Sequence, residues 1–265
     1  MILNPTVSVI IPAKNEAANL TLVLPQLPAE YEIVLVDGHS VDETVAVAQT
    51  IRPDVVVVQQ TRRGKGNALA CGFQAATGDI VVMFDADCSA DPEEIPRFVQ
   101  ALVDGADFAK GSRFAAGGGS EDITRLRQWG NSGLNVVANA AFGTRFTDLC
   151  YGYNAFWRDL VPVLDLPDTA EQRVDGMLWG DGFEIETVIN CRFAAAGARI
   201  VEVPSVEKLR AFGESNLRTF SDGSRVLRTI LAERKRARAA LGARQLPLLR
   251  PASELVSAAP AGVAA

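Results

Sequence analysis

The feature that most constrains this chain is the stretch Ile80-Val81-Val82-Met83-Phe84-Asp85-Ala86-Asp87, an apolar run ending in two carboxylates one residue apart. The run is too short for a helix core and reads as a buried strand, parallel to its neighbours. Strand alternation would turn Asp85 and Asp87 to one side at the carboxyl end, where open α/β sheets bind ligands. Two close carboxylates repel and need a compensating cation. Hard oxygen ligands of this kind suit Mg²⁺ or Mn²⁺, which in turn would hold a substrate's phosphates. The same residues also suit a plainer arrangement, a strand followed by the helix that Asp91-Pro92-Glu93-Glu94 opens with Pro at its first position. The rest of the chain separates the two.

Strand and helix patterns alternate at short spacing over roughly residues 5–104, the signature of βαβ units and a parallel sheet. Val7 to Pro12, Glu32 to Val36 and Val55 to Val58 read as strands, and 19–27 reads as a short helix. Ser40 with Glu43 forms a capping box for a helix running to about Ile51, and Gly64-Lys65-Gly66-Asn67 starts another through Ala76. Right-handed crossovers put the strand ends on one edge. Pro12, Asp37, the loop Arg62-Arg63-Gly64-Lys65 and Asp85 with Asp87 would converge there, which argues for one nucleotide site. Further on, 106–113 is a strand, 125–142 a long helix and 147–156 a turn plus strand. Gly180 to Glu186 opens a helix ending near Gly197, and 199–203 is a last strand. Residues 1–242 form a single domain on this reading, with a nucleotide-binding half at 1–104, and 243–265 reads as a disordered tail.

Composition narrows the function classes. With 48% hydrophobic and 22% charged residues in 265, the chain is of ordinary globular type. No apolar run approaches the roughly 20 residues a spanning helix needs, and no cleavage site follows the strand-like start, so the expected location is the cytoplasm. The net charge of −6 is uneven: 225–250 carries eight basic residues against Glu233, and the remainder holds 18 basic and 31 acidic residues. An acidic body argues against nucleic-acid binding. The basic terminal helix suits a solvated face, or peripheral contact with the inner face of an anionic membrane. Cys71, Cys88, Cys150 and Cys191 are far apart, and His39 is the single histidine, which points away from disulfides, zinc and His-cluster sites.

Several other residues could carry chemistry. Asp37 ends a strand, where an acid can hydrogen-bond a ribose or a base edge. No G-x-G-x-x-G follows the first strand, against a nicotinamide or flavin cofactor. Gly64-Lys65-Gly66 lacks the Walker spacing; its lysine could contact a base or phosphates at a helix N-terminus, or simply cap a surface turn. Arg113, Arg125 and Arg127 flank a glycine-rich loop, with forks that match phosphate oxygens or serve solubility. Asp148 precedes an aromatic strand. Asp181, Glu184 and Glu186 crowd one helix start; Asp181 and Glu184, three residues apart, could both face one cleft, or the acids merely complement the helix dipole.

Taken in order, these motifs resemble the inverting family 2 glycosyltransferases of the GT-A fold, and among them the dolichyl- or polyprenyl-phosphate sugar transferases. The resemblance covers about residues 6–232. It rests on Ser8-Val9-Ile10-Ile11-Pro12-Ala13-Lys14-Asn15-Glu16, Val34-Leu35-Val36-Asp37-Gly38, Arg63-Gly64-Lys65-Gly66 and Asp85-Ala86-Asp87. Gly111-Ser112-Arg113-Phe114, Asp148 with Gly152-Tyr153, Gly182-Phe183-Glu184-Ile185-Glu186 and Phe212-Gly213-Glu214-Ser215-Asn216-Leu217 complete it. It implies a Rossmann-like, mostly parallel central sheet flanked by helices, with an acceptor half at 105–242. It also implies that Pro12, Ala13, Glu16, Asp37 and Lys65 bind the nucleoside of a nucleotide-sugar, and that Asp85 and Asp87, around Ala86, hold Mg²⁺ or Mn²⁺ and the diphosphate. Arg113, Arg127 and Arg210 fall where relatives bind phosphate. Asp148 is the first choice for general base, with Asp181 and Glu184 as further catalytic acids. Many relatives place Gln two positions after the second aspartate; this chain has Ser89. The implied activity is transfer of a hexose from a UDP-hexose, or from GDP-mannose, to a polyprenyl phosphate or a small molecule. A homodimer through 125–142 or the terminal helix is compatible with the pattern. A sugar-phosphate nucleotidyltransferase and a catalytically silent binding homologue are the alternatives.

Overall fold

The computed structural model describes residues 4–170, 177–213 and 219–242. The tail expected at 243–265 and residues 214–217 of the Phe212 motif lie outside them. The first half alternates as β1 (Val7–Ala13), α1 (Ala17–Val23), β2 (Glu32–Asp37), α2 (Thr44–Ile51), β3 (Val56–Gln59), α3 (Lys65–Ala75), β4 (Ile80–Met83) and α4 (Ile95–Val103). Then come β5 (Phe108–Ser112), β6 (Gly119–Ser120), α5 (Arg125–Phe142), β7 (Asn154–Trp157), α6 (Ile185–Ala195), β8 (Ile200–Pro204), β9 (Val206–Glu207) and α7 (Thr219–Gly242).

Seven strands form one sheet in the order β3-β2-β1-β4-β7-β5-β8, and β6 pairs with β9 in a separate ribbon. β7 runs antiparallel between β4 and β5, and every other pairing in the sheet is parallel. The expected mostly parallel α/β sheet is thus present, and strands from both halves of the chain share it. Its central strands β1, β2 and β4 are nearly continuous apolar runs because both faces are covered. Val9, Ile11, Leu35 and Val82 pack into one core with Leu20 and Phe98, while Ile10, Val36 and Val81 turn the other way toward Leu69, Phe73 and Phe193.

The crevice is a matter of register. β1 and β4 last pair at Ile10 with Met83, whereas β1 continues beside β2 to Ala13 opposite Asp37. From β1 the order runs outward to β2 and β3 on one side and to β4 on the other, so a switch point opens where β1 outlasts β4. Several expected boundaries shift. Phe84 N–H still bonds Ile10 O at 3.0 Å, but the strand ends at Met83 and Asp85 and Asp87 sit on the turn beyond it. Strand alternation is therefore not what orients them. The Ser40 capping box does not form: α2 starts at Thr44, and Asp42 accepts the Thr44 N–H. β3 starts at Val56 and is a partly exposed edge strand. Gly180 to Glu184 is a turn ahead of α6.

Candidate active site

The loops that leave β1, β2 and β4 are tightly bent at the crevice. Asn15, His39 and Cys88 have φ of 58°, 57° and 67°, a left-handed region that non-glycine residues enter at a cost and that clusters at functional sites. Ala13 O accepts the Gly38 N–H at 2.8 Å, locking the first two loops together. Asp37 is buried, and its carboxylate accepts the Ser40 N–H at 3.2 Å and Gln59 Nε2 at 3.0 Å.

Charge is concentrated on the acidic turn. Lys65 Nζ lies 2.7 Å from Asp85 Oδ1 and 2.8 Å from Glu186 Oε1. Gly152 borders this triad. Arg210 Nη2 lies 2.7 Å from Asp87 Oδ2, while the Ser89 N–H donates to Asp87 Oδ1 at 3.0 Å. Glu16 faces the same charges. Burial raises its pKa against the hydrogen bond from Asn19, and the negative charge of Asp87 adds to the rise. Burial likewise raises Asp85, with Lys65 opposing and Asp87 reinforcing. At Lys65 burial favours the neutral form, but the carboxylates of Asp85 and Glu186 outweigh it and hold the ammonium charged. A strap carrying Arg210 crosses the mouth: the Lys208 N–H bonds Ser89 O at 2.8 Å, Lys208 Nζ pairs with Asp91 at 2.7 Å, and the Phe212 N–H bonds Asn19 Oδ1 at 3.1 Å. Under the strap lies a cleft of about 200 Å³ lined by Lys14, Asn15, Glu16, Asn19, Arg210 and Phe212.

Residues 8–164 match the description of the family "Glycosyl transferase family 2". The chain belongs to this family. Among curated relatives, a dolichol-phosphate mannosyltransferase of Pyrococcus furiosus is 33% identical over 224 residues, covering 80% of this chain. This chain spans only 59% of that relative's length. An undecaprenyl-phosphate mannosyltransferase of Micrococcus luteus is 34% identical over 218 residues, 78% of this chain and 86% of the relative. Among solved structures, glucosyl-3-phosphoglycerate synthase from Mycobacterium tuberculosis, in complex with Mn²⁺, UDP and phosphoglyceric acid, superposes with a TM-score of 0.66 at 24% identity. That match covers 87% of this chain and 79% of the other, and establishes the shared GT-A fold.

In this family 2 glycosyltransferase the crevice brings together Pro12, Ala13, Glu16, Asp37, Lys65, Asp85, Ala86, Asp87 and Arg210, on the loops and element ends at one sheet edge. Other expected site residues are engaged elsewhere. Asp148 has no exposed surface; Arg113 grips it at 2.7 and 2.9 Å, and Asn131 Nδ2 adds a bond at 3.1 Å. Burial would raise its pKa, but the hydrogen bonds and charge of Arg113 hold it below the usual carboxylate range. Asp148, expected as general base, is thus enclosed by Arg113 and Asn131 in this structure. Asp181 makes a buried two-point pair with Arg62 at 2.8 and 3.0 Å. Its carbonyl takes the Gly66 and Asn67 N–H groups at 2.7 and 3.2 Å, so the α3 N-terminus expected to meet phosphate is already satisfied. Glu184 accepts the Gly180 and Gly182 N–H groups at 3.1 and 3.2 Å, closing its own turn. Both carboxylates, expected as catalytic acids, are engaged by partners of their own chain in this geometry. Arg113 is tied to Asp148 and, at 3.0 Å, to Glu207, and Arg127 lies 3.6 Å from Asp122.

Two residues given no role in the sequence reading matter here. Glu186, rather than its neighbours Asp181 and Glu184, reaches Lys65. Nothing in the local spacing distinguishes the three acids; the turn at 180–184 does. Lys110 is wholly buried on β5, donating to Gly111 O and Tyr151 O at 2.8 Å each. Its position in a strand of small and apolar residues was the available signal.

Proposed function

We propose that this glycosyltransferase moves a hexose from a nucleoside diphosphate sugar, a UDP-hexose or GDP-mannose, to the phosphate of a polyprenyl carrier, using Mg²⁺ or Mn²⁺. The observation that carries this reading is the acidic pair at the sheet's switch point, flanked by Lys65 and Arg210. The donor set fits such an ion. No group of three or more His, Cys, Asp or Glu side chains suited to a metal occurs among the described residues. Two aspartates therefore leave coordination positions for phosphate oxygens and water, the pattern Mg²⁺ favours. Asp85 and Asp87 would hold the ion, which when bound neutralises charge developing on the departing diphosphate. Arg210 and Lys65 supply further positive charge at the same mouth, and Asp37 can accept from the nucleoside.

The acceptor follows from where the carboxylates are committed. Asp148, Asp181 and Glu184, the acids expected to act as base, are all held by partners within the protein, and an alcohol acceptor needs a positioned carboxylate. A phosphate monoester is already anionic and needs none. The names of the relatives from Pyrococcus furiosus and Micrococcus luteus support the same class. No helix among the described residues is long and apolar enough to cross a membrane. Peripheral contact is supported instead by α5, whose outward Leu126, Trp129 and Val136 are exposed, beside the basic α7. The test is product formation from a panel of UDP- and GDP-sugars with Mn²⁺, offered a short polyprenyl phosphate or a soluble phosphorylated acid. Metal-dependent transfer to the polyprenyl phosphate is expected. Transfer to the soluble acid alone would replace the acceptor, and synthesis of a nucleotide-sugar from a sugar 1-phosphate and a nucleoside triphosphate would replace the reaction.

A further inference from the structure

Each aspartate of the acidic pair already carries a cation of its own chain. The two cations approach from opposite walls, Lys65 from the start of α3 and Arg210 from the strap between β9 and α7. These pairs border open space: the Asp85 side chain is 37% exposed and Arg210 29%. The buried pair Arg62–Asp181 is different, with both side chains 1% exposed. Lys65 and Arg210 also have second holds. Glu186 keeps Lys65 at the mouth independently of Asp85, and the strap bearing Arg210 is fixed through the Lys208 N–H to Ser89 O and the Phe212 N–H to Asn19. Losing its aspartate would leave each cation in place, facing the cleft.

We infer that Lys65 and Arg210 are exchangeable counter-cations, which a divalent ion must displace from Asp85 and Asp87 and which a nucleoside diphosphate then receives. The inference rests on the donor reading above and adds an energetic coupling to it. An ion arriving alone would leave two displaced cations beside it, a repulsive arrangement at contact distances. Diphosphate oxygens relieve that repulsion by pairing with both. Ion and nucleotide therefore each bind better in the other's presence, and linkage makes the gain mutual.

Binding of Mn²⁺ to the full chain, read as loss of the free-ion electron paramagnetic resonance signal, tests this without sugar or acceptor. Wild type is expected to bind Mn²⁺ alone weakly, and about tenfold or more tightly with UDP present. Lys65→Met and Arg210→Met should each tighten the binding of Mn²⁺ alone by about tenfold and shrink the gain from UDP. Lys14→Met makes the same charge change at an exposed residue of the same cleft that pairs with neither aspartate; it should shift binding by less than about twofold. Lys65→Arg, which keeps the charge, should behave as wild type, and melting curves exclude a folding defect. An equal shift in Lys14→Met, or none in either cap variant, overturns the exchange and leaves the donor reading standing. No Mn²⁺ binding even with UDP overturns both.

Discussion

At Gly152 a Cβ would stand 3.2 Å from Glu186 Oε1 and Lys65 Nζ, and 3.4 Å from Asp85 Oδ2. These distances are tight but not prohibitive, and φ at this glycine is not in the left-handed region. Gly152→Ala should therefore fold, with Tm within a few degrees of wild type, while displacing the triad by tenths of an ångström. Since a misplacement of about 1 Å can cost about 100-fold, a shift of tenths should lower turnover by about 3- to 10-fold, which steady-state kinetics alongside thermal melting would measure. Wild-type turnover in Gly152→Ala would remove the triad from the donor site. At this scale the convergence of residues was legible where strand ends share one sheet edge, as with Lys65 and Asp85, which lie 2.7 Å apart. It was not legible where tertiary geometry chooses among similar residues. Asp181, Glu184 and Glu186 share one short stretch, and only the path of the turn decides that Glu186 meets Lys65.

β5 carries a charge network at its end, and two predictions belong to it. Arg113 at its end grips Asp148 and Glu207 and lies 4.9 Å over the Tyr151 ring. Removing one partner of such a buried pair leaves the other uncompensated, so Asp148→Asn should lose about 3 kcal/mol of stability in urea unfolding. Because the folded Asp148 pKa lies below its unfolded value near 3.9, its contribution is complete above that value and is lost as pH falls through the lower one. Lys110 behaves oppositely. Burial, only partly offset by Asp148 and Glu202, lowers its pKa to about 8. The unfolded chain then binds more protons between pH 8 and 10, so burial of this lysine costs most below pH 8 and least above pH 10. Wild type should gain about 2.5 kcal/mol on Lys110→Met between pH 7 and pH 10 in parallel unfolding curves. A constant difference would mean that Lys110 does not titrate in this range. The element boundaries show the same limit of sequence reading: the helix at 125–142 was legible in full from its pattern, whereas the Ser40 capping box failed because Ser40 Oγ and the Thr44 hydroxyl instead accept the Asn15 and Glu16 N–H groups across the crevice.

At the scale of the described residues, one mostly parallel sheet with a switch point between β1 and β4 gathers residues far apart in sequence onto one edge. Alternating strand and helix patterns made that gathering legible, because handed crossovers leave few other arrangements. The antiparallel β7, inserted between β4 and β5, and the strap over Asp87 were not legible, since both depend on long-range pairing. The central claim concerns the acidic pair at the heart of this edge: Asp85 and Asp87 bind a nucleoside diphosphate through a divalent ion. Isothermal titration of UDP into wild type and into the Asp85→Asn, Asp87→Asn double variant, with Mn²⁺ and with chelator, tests it most directly. Binding to wild type that needs Mn²⁺ and vanishes in the variant is the predicted result. Equal binding to both proteins, or binding indifferent to chelator, would contradict it.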